Sequence, residues 1–199
     1  MAFFRNIYIH MKAAPKDRTI DTHAKHMQML KTGLFNGSTL FLGDSMMERW
    51  TWIGKDLWHT HLKPLKVFNG GVGGDRICNL LWRIENGILD YPFSRVILMI
   101  GTNDLQKTQP QAIVNGIVQV IEEIQKRNLP LLVYGLTPRT DISEEKILKV
   151  NNLLEKTCKE LKVDYHCFYP KEDCYYDDNV HLSHLGYEEW LKELLSVMK

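Results

Sequence analysis

The sequence predicts an α/β fold, a three-layer α/β/α sandwich around a five-stranded, mostly parallel sheet. Three observations carry that expectation. Apolar runs of strand length alternate with longer segments of helical spacing along most of the 199 residues. Five strands separated by helices imply a sheet covered on both faces. The polar motifs follow the apolar runs, so they converge on one edge of the sheet instead of scattering over both.

The elements follow in order. Residues 1–20 are weakly patterned, and residues 21–32 read as an extra N-terminal helix. Residues 38–43 (STLFLG) read as a buried strand and residues 46–59 as the helix after it. Residues 65–69 form a short second strand ending in glycines. The next helix, over 77–89, is amphipathic, with Ile77, Leu80, Leu81, Ile84 and Ile88 on one face. Residues 95–100 (RVILMI) give the strongest strand signal, bounded by Ser94 and Gly101. A helix over 111–127 carries Ile113, Ile117, Val120, Ile121 and Ile124 at helical spacing. Residues 130–136 read as the fourth strand, stopped by Thr137-Pro138, and Ser143 with Glu144 and Glu145 opens a helix to about residue 161. Residues 162–168 complete the strands, and 183–198 close the chain as a helix. No repeat or linker divides residues 1–199, so one domain is expected, with 1–35 an N-terminal extension packed on it. Right-handed crossovers favour the sandwich. With strand order 2-1-3-4-5, the crevice lies at the carboxyl ends of the first and third strands.

Composition narrows the function classes. The chain is 44% apolar and 25% charged, as in an ordinary globular protein. A formal charge of +1 supplies no field for nucleic acid or an anionic membrane. No stretch approaches the roughly 18 apolar residues of a membrane span, and no signal-peptide core is visible, so a cytoplasmic location is expected. Cys78, Cys158, Cys167 and Cys174 lack CxxC spacing and read as reduced thiols, with a Cys167–Cys174 bridge the alternative for an exported protein.

Four motifs carry chemistry: Gly43-Asp44-Ser45, Gly73-Gly74-Asp75, Gly101-Thr102-Asn103-Asp104 and Asp178-Asn179-Val180-His181. Ser45 fits an S-x-x-E capping box with Glu48, and a serine at a helix start also has backbone amides beside it for a developing oxyanion. Gly71-Val72-Gly73 is not a dinucleotide loop, because position 76 is Arg76. Its glycines permit a tight turn, or present a bare N–H at Gly74. Asn103 is either an Asx-type cap or a fixed amide donor. Asp178 and His181, three apart, let a carboxylate fix the imidazole tautomer, with Asp177 a fallback acid. His181-x-x-His184 invites a metal, but further ligands would come from unrelated elements, so no metal and no cofactor are expected. Arg139 reads as an ion-paired loop arginine or as a contact for an anionic substrate group. Met46, Leu105 and Tyr175 or Tyr176 read as packing residues or as the lining of an acyl pocket.

These four motifs resemble blocks I, II, III and V of the SGNH, or GDSL-type, hydrolase family over roughly residues 38–190. Within that family the likeness is to the catalytic subunits of the intracellular platelet-activating-factor acetylhydrolases. It extends through Leu81-Trp82-Arg83, Gly135-Leu136-x-Pro138-Arg139 and His181-Leu182…Gly186-Tyr187. The resemblance implies a flavodoxin-like sandwich, with Ser45 as nucleophile, Asp178 and His181 completing a triad, and Ser45, Gly74 and Asn103 as the oxyanion hole. It also implies a homodimer. Thr102 and His184 stand where the family varies, and the first 35 residues carry no motif. The expected function is a serine esterase for small acyl, above all acetyl, esters. The alternatives are a lysophospholipase or thioesterase, an acyltransferase on the same site, or a non-catalytic binding subunit.

Overall fold

The computed structural model describes residues 11–198, so the expectation for residues 1–10 lies outside the described residues. Strands β1 (Thr39–Gly43), β2 (Val67–Gly71), β3 (Arg95–Met99), β4 (Leu131–Tyr134) and β5 (Asp164–His166) form one parallel sheet in the order β2-β1-β3-β4-β5. Thr39 lies opposite both Val67 and Arg95, which sets the register of the central three strands. Among the described residues the helices are α1 (Asp17–Leu30), α2 (Ser45–Glu48), α3 (Lys55–Leu57), α4 (Ile77–Glu85), α5 (Pro110–Gln125), α6 (Glu144–Leu161) and α7 (His184–Val197).

Successive side chains on a strand point to opposite faces, and two cores follow from that. Leu40, Leu42, Val96, Leu98 and Val133 pack beneath α4, α5 and α6. Phe41, Ile97, Met99 and Tyr134 pack beneath α2 and α7. Trp50 and Trp190 are fully buried in the second core, where Trp190 stacks on Phe168 with ring centroids 5.8 Å apart. Truncating a buried aromatic of this kind to alanine typically destabilises by about 3–5 kcal/mol.

Two elements depart from expectation. The helix expected over 46–59 is broken into α2, a 3₁₀ turn (Arg49–Thr51), α3 and a π turn (Trp58–Leu62). Helical spacing continues through the break, but the chain dives beneath α7 instead. Gly54 passes so close to Trp50 that a Cβ there would sit 3.2 Å from the indole ring. The second strand begins and ends two residues later than expected, because its glycines join the sheet. Gly70 and Gly71 pair with Leu42 and Gly43. A Cβ on Gly71 would lie 2.2 Å from the backbone nitrogen of Glu48, and one on Gly43 would lie 2.0 Å from the carbonyl of Met99. Bare backbone at these two positions lets α2 descend onto the end of the sheet.

Helix α1 begins four residues earlier than expected and packs against α4. His23, 5% exposed, sits 3.1 Å from the Asn86 carbonyl through Nε2 and meets the Trp82 ring edge-on at 5.4 Å. Burial lowers the His23 pKa, which keeps the ring neutral at this contact.

Candidate active site

The motifs occupy the loops at the carboxyl ends of β1, β2 and β3 and the segment between β5 and α7. Parallel strands all end on the same side, so four loops distant in sequence meet above the β1–β3 crevice.

Ser45 is the first residue of α2 and is only 8% exposed. It does not cap its own helix. Asp44 does so, accepting the Met46 N–H at 3.0 Å through Oδ1. Glu48, the expected partner in a capping box with Ser45, instead turns outward to Arg18, 2.9 and 3.0 Å away. The Ser45 hydroxyl is thereby free to meet His181 Nε2 at 3.0 Å.

His181 Nδ1 lies 2.7 Å from Asp178 Oδ2. The other carboxylate oxygen accepts the backbone N–H groups of Val180 (3.0 Å) and His181 (2.9 Å). Asn179 makes this turn possible by taking a left-handed conformation, φ +51°. Partial burial opposes ionisation of Asp178. The His181 and Val180 N–H groups and the His181 ring outweigh it and hold the pKa at about 2. An ionised acceptor at Nδ1 places the proton there and leaves Nε2 as an acceptor for the Ser45 hydroxyl.

The glycine turn and the asparagine turn are bonded together. Gly74 has φ +74°, a conformation that favours glycine, and the Asp75 N–H closes the turn on the Val72 carbonyl at 3.0 Å. Asn103 sits on a 3₁₀ turn (Thr102–Asp104) and donates its side-chain amide to the Asp75 carbonyl at 2.9 Å. Asp104 accepts the Ile77 N–H and pairs with Arg76, both at 3.1 Å, which ties the same turn to the start of α4.

Beneath these loops lies a buried ion pair that the motifs did not announce. Arg83 and Asp75 are both fully buried, with Arg83 Nε 2.9 Å from Asp75 Oδ2. Arg83 also donates to the carbonyls of Gly43 (2.9 Å) and Gly70, at the carboxyl ends of β1 and β2. Its sequence signal was a charge flanking the apolar stripe of α4. Asp44 is fully buried as well, with Oδ2 unpartnered. Burial raises its pKa to about 7, the Met46 N–H opposes this, and Asp75 and Asp104 push it further up.

The three expected substrate contacts have other employment. Met46 and Leu105 are 1% and 0% exposed and belong to the two cores, so neither presents side-chain surface to a pocket. Arg139 forms a bidentate pair with Asp141 (2.6 and 2.7 Å) and donates to the carbonyl and hydroxyl of Thr102, both at 3.2 Å. That is the ion-paired reading of Arg139, with a purpose: it braces the loop that carries Asn103. The buried hydroxyl of Tyr187 donates to the Met46 carbonyl at 2.8 Å and anchors α2 from α7. His184 opens α7 and faces Asp56 at 2.9 Å, away from His181's ring partners.

Comparison with known proteins identifies the family and the fold. The sequence pattern of the GDSL-like Lipase/Acylhydrolase family matches residues 41–189, and the chain belongs to that family. It is similar to platelet-activating factor acetylhydrolase IB subunit alpha2 of Homo sapiens, 33% identical over 128 residues, covering 61% of this chain and 55% of the relative. The chain thus spans about half the length of that relative. Subunit alpha1 of Mus musculus is 27% identical over 182 residues, covering 80% and 74%. A GDSL-like lipase from Bacteroides thetaiotaomicron shares the fold, with TM-score 0.75 at 16% identity over 88% of this chain and 96% of the other. Among the described residues no helix is long and apolar enough to cross a membrane, and all four cysteines are free thiols.

Proposed function

We propose that the chain is a serine esterase that hydrolyses small acyl esters, acetyl esters first. The observation that carries this reading is the unbroken hydrogen-bond path from Ser45 Oγ through His181 to Asp178, at 3.0 and 2.7 Å. Ser45 attacks the ester carbonyl as His181 Nε2 takes its proton, and Asp178 stabilises the imidazolium that forms. The carbonyl oxygen gains negative charge, which the N–H groups of Ser45 and Gly74 and the amide of Asn103 receive. His181 then protonates the departing alcohol, and water releases the acyl group by the reverse route. Every group in the cycle is a side chain or backbone amide of this chain. Support for a short acyl chain comes from the compact connecting loops and from the acetylhydrolase names of the relatives.

Nitrophenyl esters with acyl chains of two to ten carbons test the reading. Turnover is expected to be fastest with acetate, to fall as the chain lengthens, and to vanish in Ser45→Ala. Undiminished turnover by pure Ser45→Ala protein overturns it.

A further inference from the structure

The Gly73-Gly74-Asp75 turn is held by residues that precede the family match, which begins at residue 41. Thr19, in the first turns of α1, donates to Asp75 Oδ1 at 2.6 Å. Lys16, immediately before α1, donates through Nζ to the Gly73 carbonyl at 3.3 Å and stands 3.8 Å from Asp75 Oδ1. A Cβ built on Gly74 would meet Lys16 Nζ at 2.9 Å, so the ammonium lies against the α-carbon of that glycine. The chain leading to Lys16 is itself fastened to α4. The Ala14 N–H donates to the Cys78 carbonyl at 3.0 Å, and the Ala14 carbonyl accepts from Asn79 at 2.7 Å.

Neutralising Asp75 does not require this lysine. Arg83, fully buried beside it, already balances the carboxylate, and Thr19 already bonds its second oxygen. The Lys16 charge is therefore surplus at the turn, and what it adds there is the hydrogen bond that holds the Gly73 carbonyl. Burial lowers the Lys16 pKa, and Asp75 works against that shift.

We propose that Lys16 is a positioning residue for the oxyanion loop. It pins the Gly73–Gly74 peptide by its carbonyl against the Asp75 carboxylate, and so aims the Gly74 N–H, on the opposite edge of the same peptide, to where the tetrahedral intermediate gathers negative charge. This assignment rests on the esterase reading above. Because Asp75 in turn receives the Asn103 amide through its carbonyl, Lys16 steadies both proposed oxyanion donors from one side.

The test is kinetic. Lys16→Met and Lys16→Arg are compared with wild type on nitrophenyl acetate, with active sites counted by a fluorophosphonate that labels Ser45. Removing a direct oxyanion donor lowers turnover by about 10²–10³, and a residue one contact away is expected to lower it by about tenfold. In Lys16→Met, kcat per labelled site falls by that amount, KM stays within about twofold, and Lys16→Arg recovers most of the loss. Full kcat in Lys16→Met beside an active wild type overturns the assignment. So does a loss that only tracks fewer labelled sites, or one that arginine fails to restore. A wild type that is neither labelled nor active overturns the esterase reading itself.

Discussion

The side-chain amide of Asn103 donates to the backbone carbonyl of Asp75, 2.9 Å away, and so joins the loop after β3 to the loop after β2. One amide hydrogen is committed to that bond, which fixes the plane of the group. The second hydrogen is left in a defined direction, as a preorganised donor requires. Asn103→Ala is expected to lower kcat on nitrophenyl acetate by about 10²–10³, with a much smaller change in KM. A raised KM with kcat unchanged would place Asn103 in substrate binding instead.

Asp178→Asn keeps the shape of the turn and removes the charge that holds the Nδ1 proton of His181 in place. Turnover is expected to fall by about 10³–10⁴ through the wrong tautomer, while thermal stability changes little. Steady-state kinetics on the purified variant, alongside its melting curve, separate the two effects.

Arg139→Ala removes the brace between Thr102 and Asp141. About a tenfold loss of kcat is expected as the Asn103 loop loosens. The loss should be the same for neutral and anionic esters, because the guanidinium is engaged by the protein. A selective loss on anionic esters would restore the substrate-contact role.

Arg83→Met leaves Asp75 buried without its cation and the carbonyls of Gly43 and Gly70 without a donor. Removing one partner of a buried pair destabilises by about 3–5 kcal/mol, and the urea midpoint is expected to drop accordingly. A variant as stable as wild type would show the network to be dispensable for folding.

Asp44 makes stability depend on pH in an unusual direction for a carboxylate. Its folded pKa, about 7, lies above the ordinary value of 3.8, so the folded state binds the proton more tightly. The associated stability is fully present below the unfolded value and is lost as pH rises through 7. Asp44→Asn retains a capping oxygen without titrating. Between pH 5 and 8 the wild type should therefore lose stability relative to this variant in urea titrations. Taking the difference also removes His26, whose pKa of about 3, lowered by burial, acts in the opposite sense on the acid side. A constant difference across that range would mean that Asp44 is ionised throughout.

Strand order and element type were legible because each apolar run is short, each helix is amphipathic, and parallel strands admit few connections. The break after α2 was not, because it is caused by Trp50 and Gly54 packing under α7, well over a hundred residues further along the chain. Ser45, Asp178 and His181 were legible as a group from short motifs, and His181 lies within hydrogen-bond distance of both of the others. The capping role falls to Asp44 because α2 begins at Ser45, one residue earlier than expected, while Glu48 pairs with Arg18, remote in sequence. Met46 and Leu105 were ambiguous for a simple reason: an apolar residue beside a motif has the same local pattern whether it faces a pocket or a core. Lys16 and Thr19 act across more than fifty residues, and no local spacing announces such contacts.

The bare backbone at Gly43 and Gly71 has a bearing on how the protein can be redesigned. With α2 seated directly on those two positions, the ledge beneath Ser45 has no room for even one added methyl group. Random mutagenesis should find this ledge barren and the outer loops fertile. Changes of ester preference are therefore expected to arise at Thr140, Ile142, Glu144 and Glu172, which border a groove of about 840 Å³.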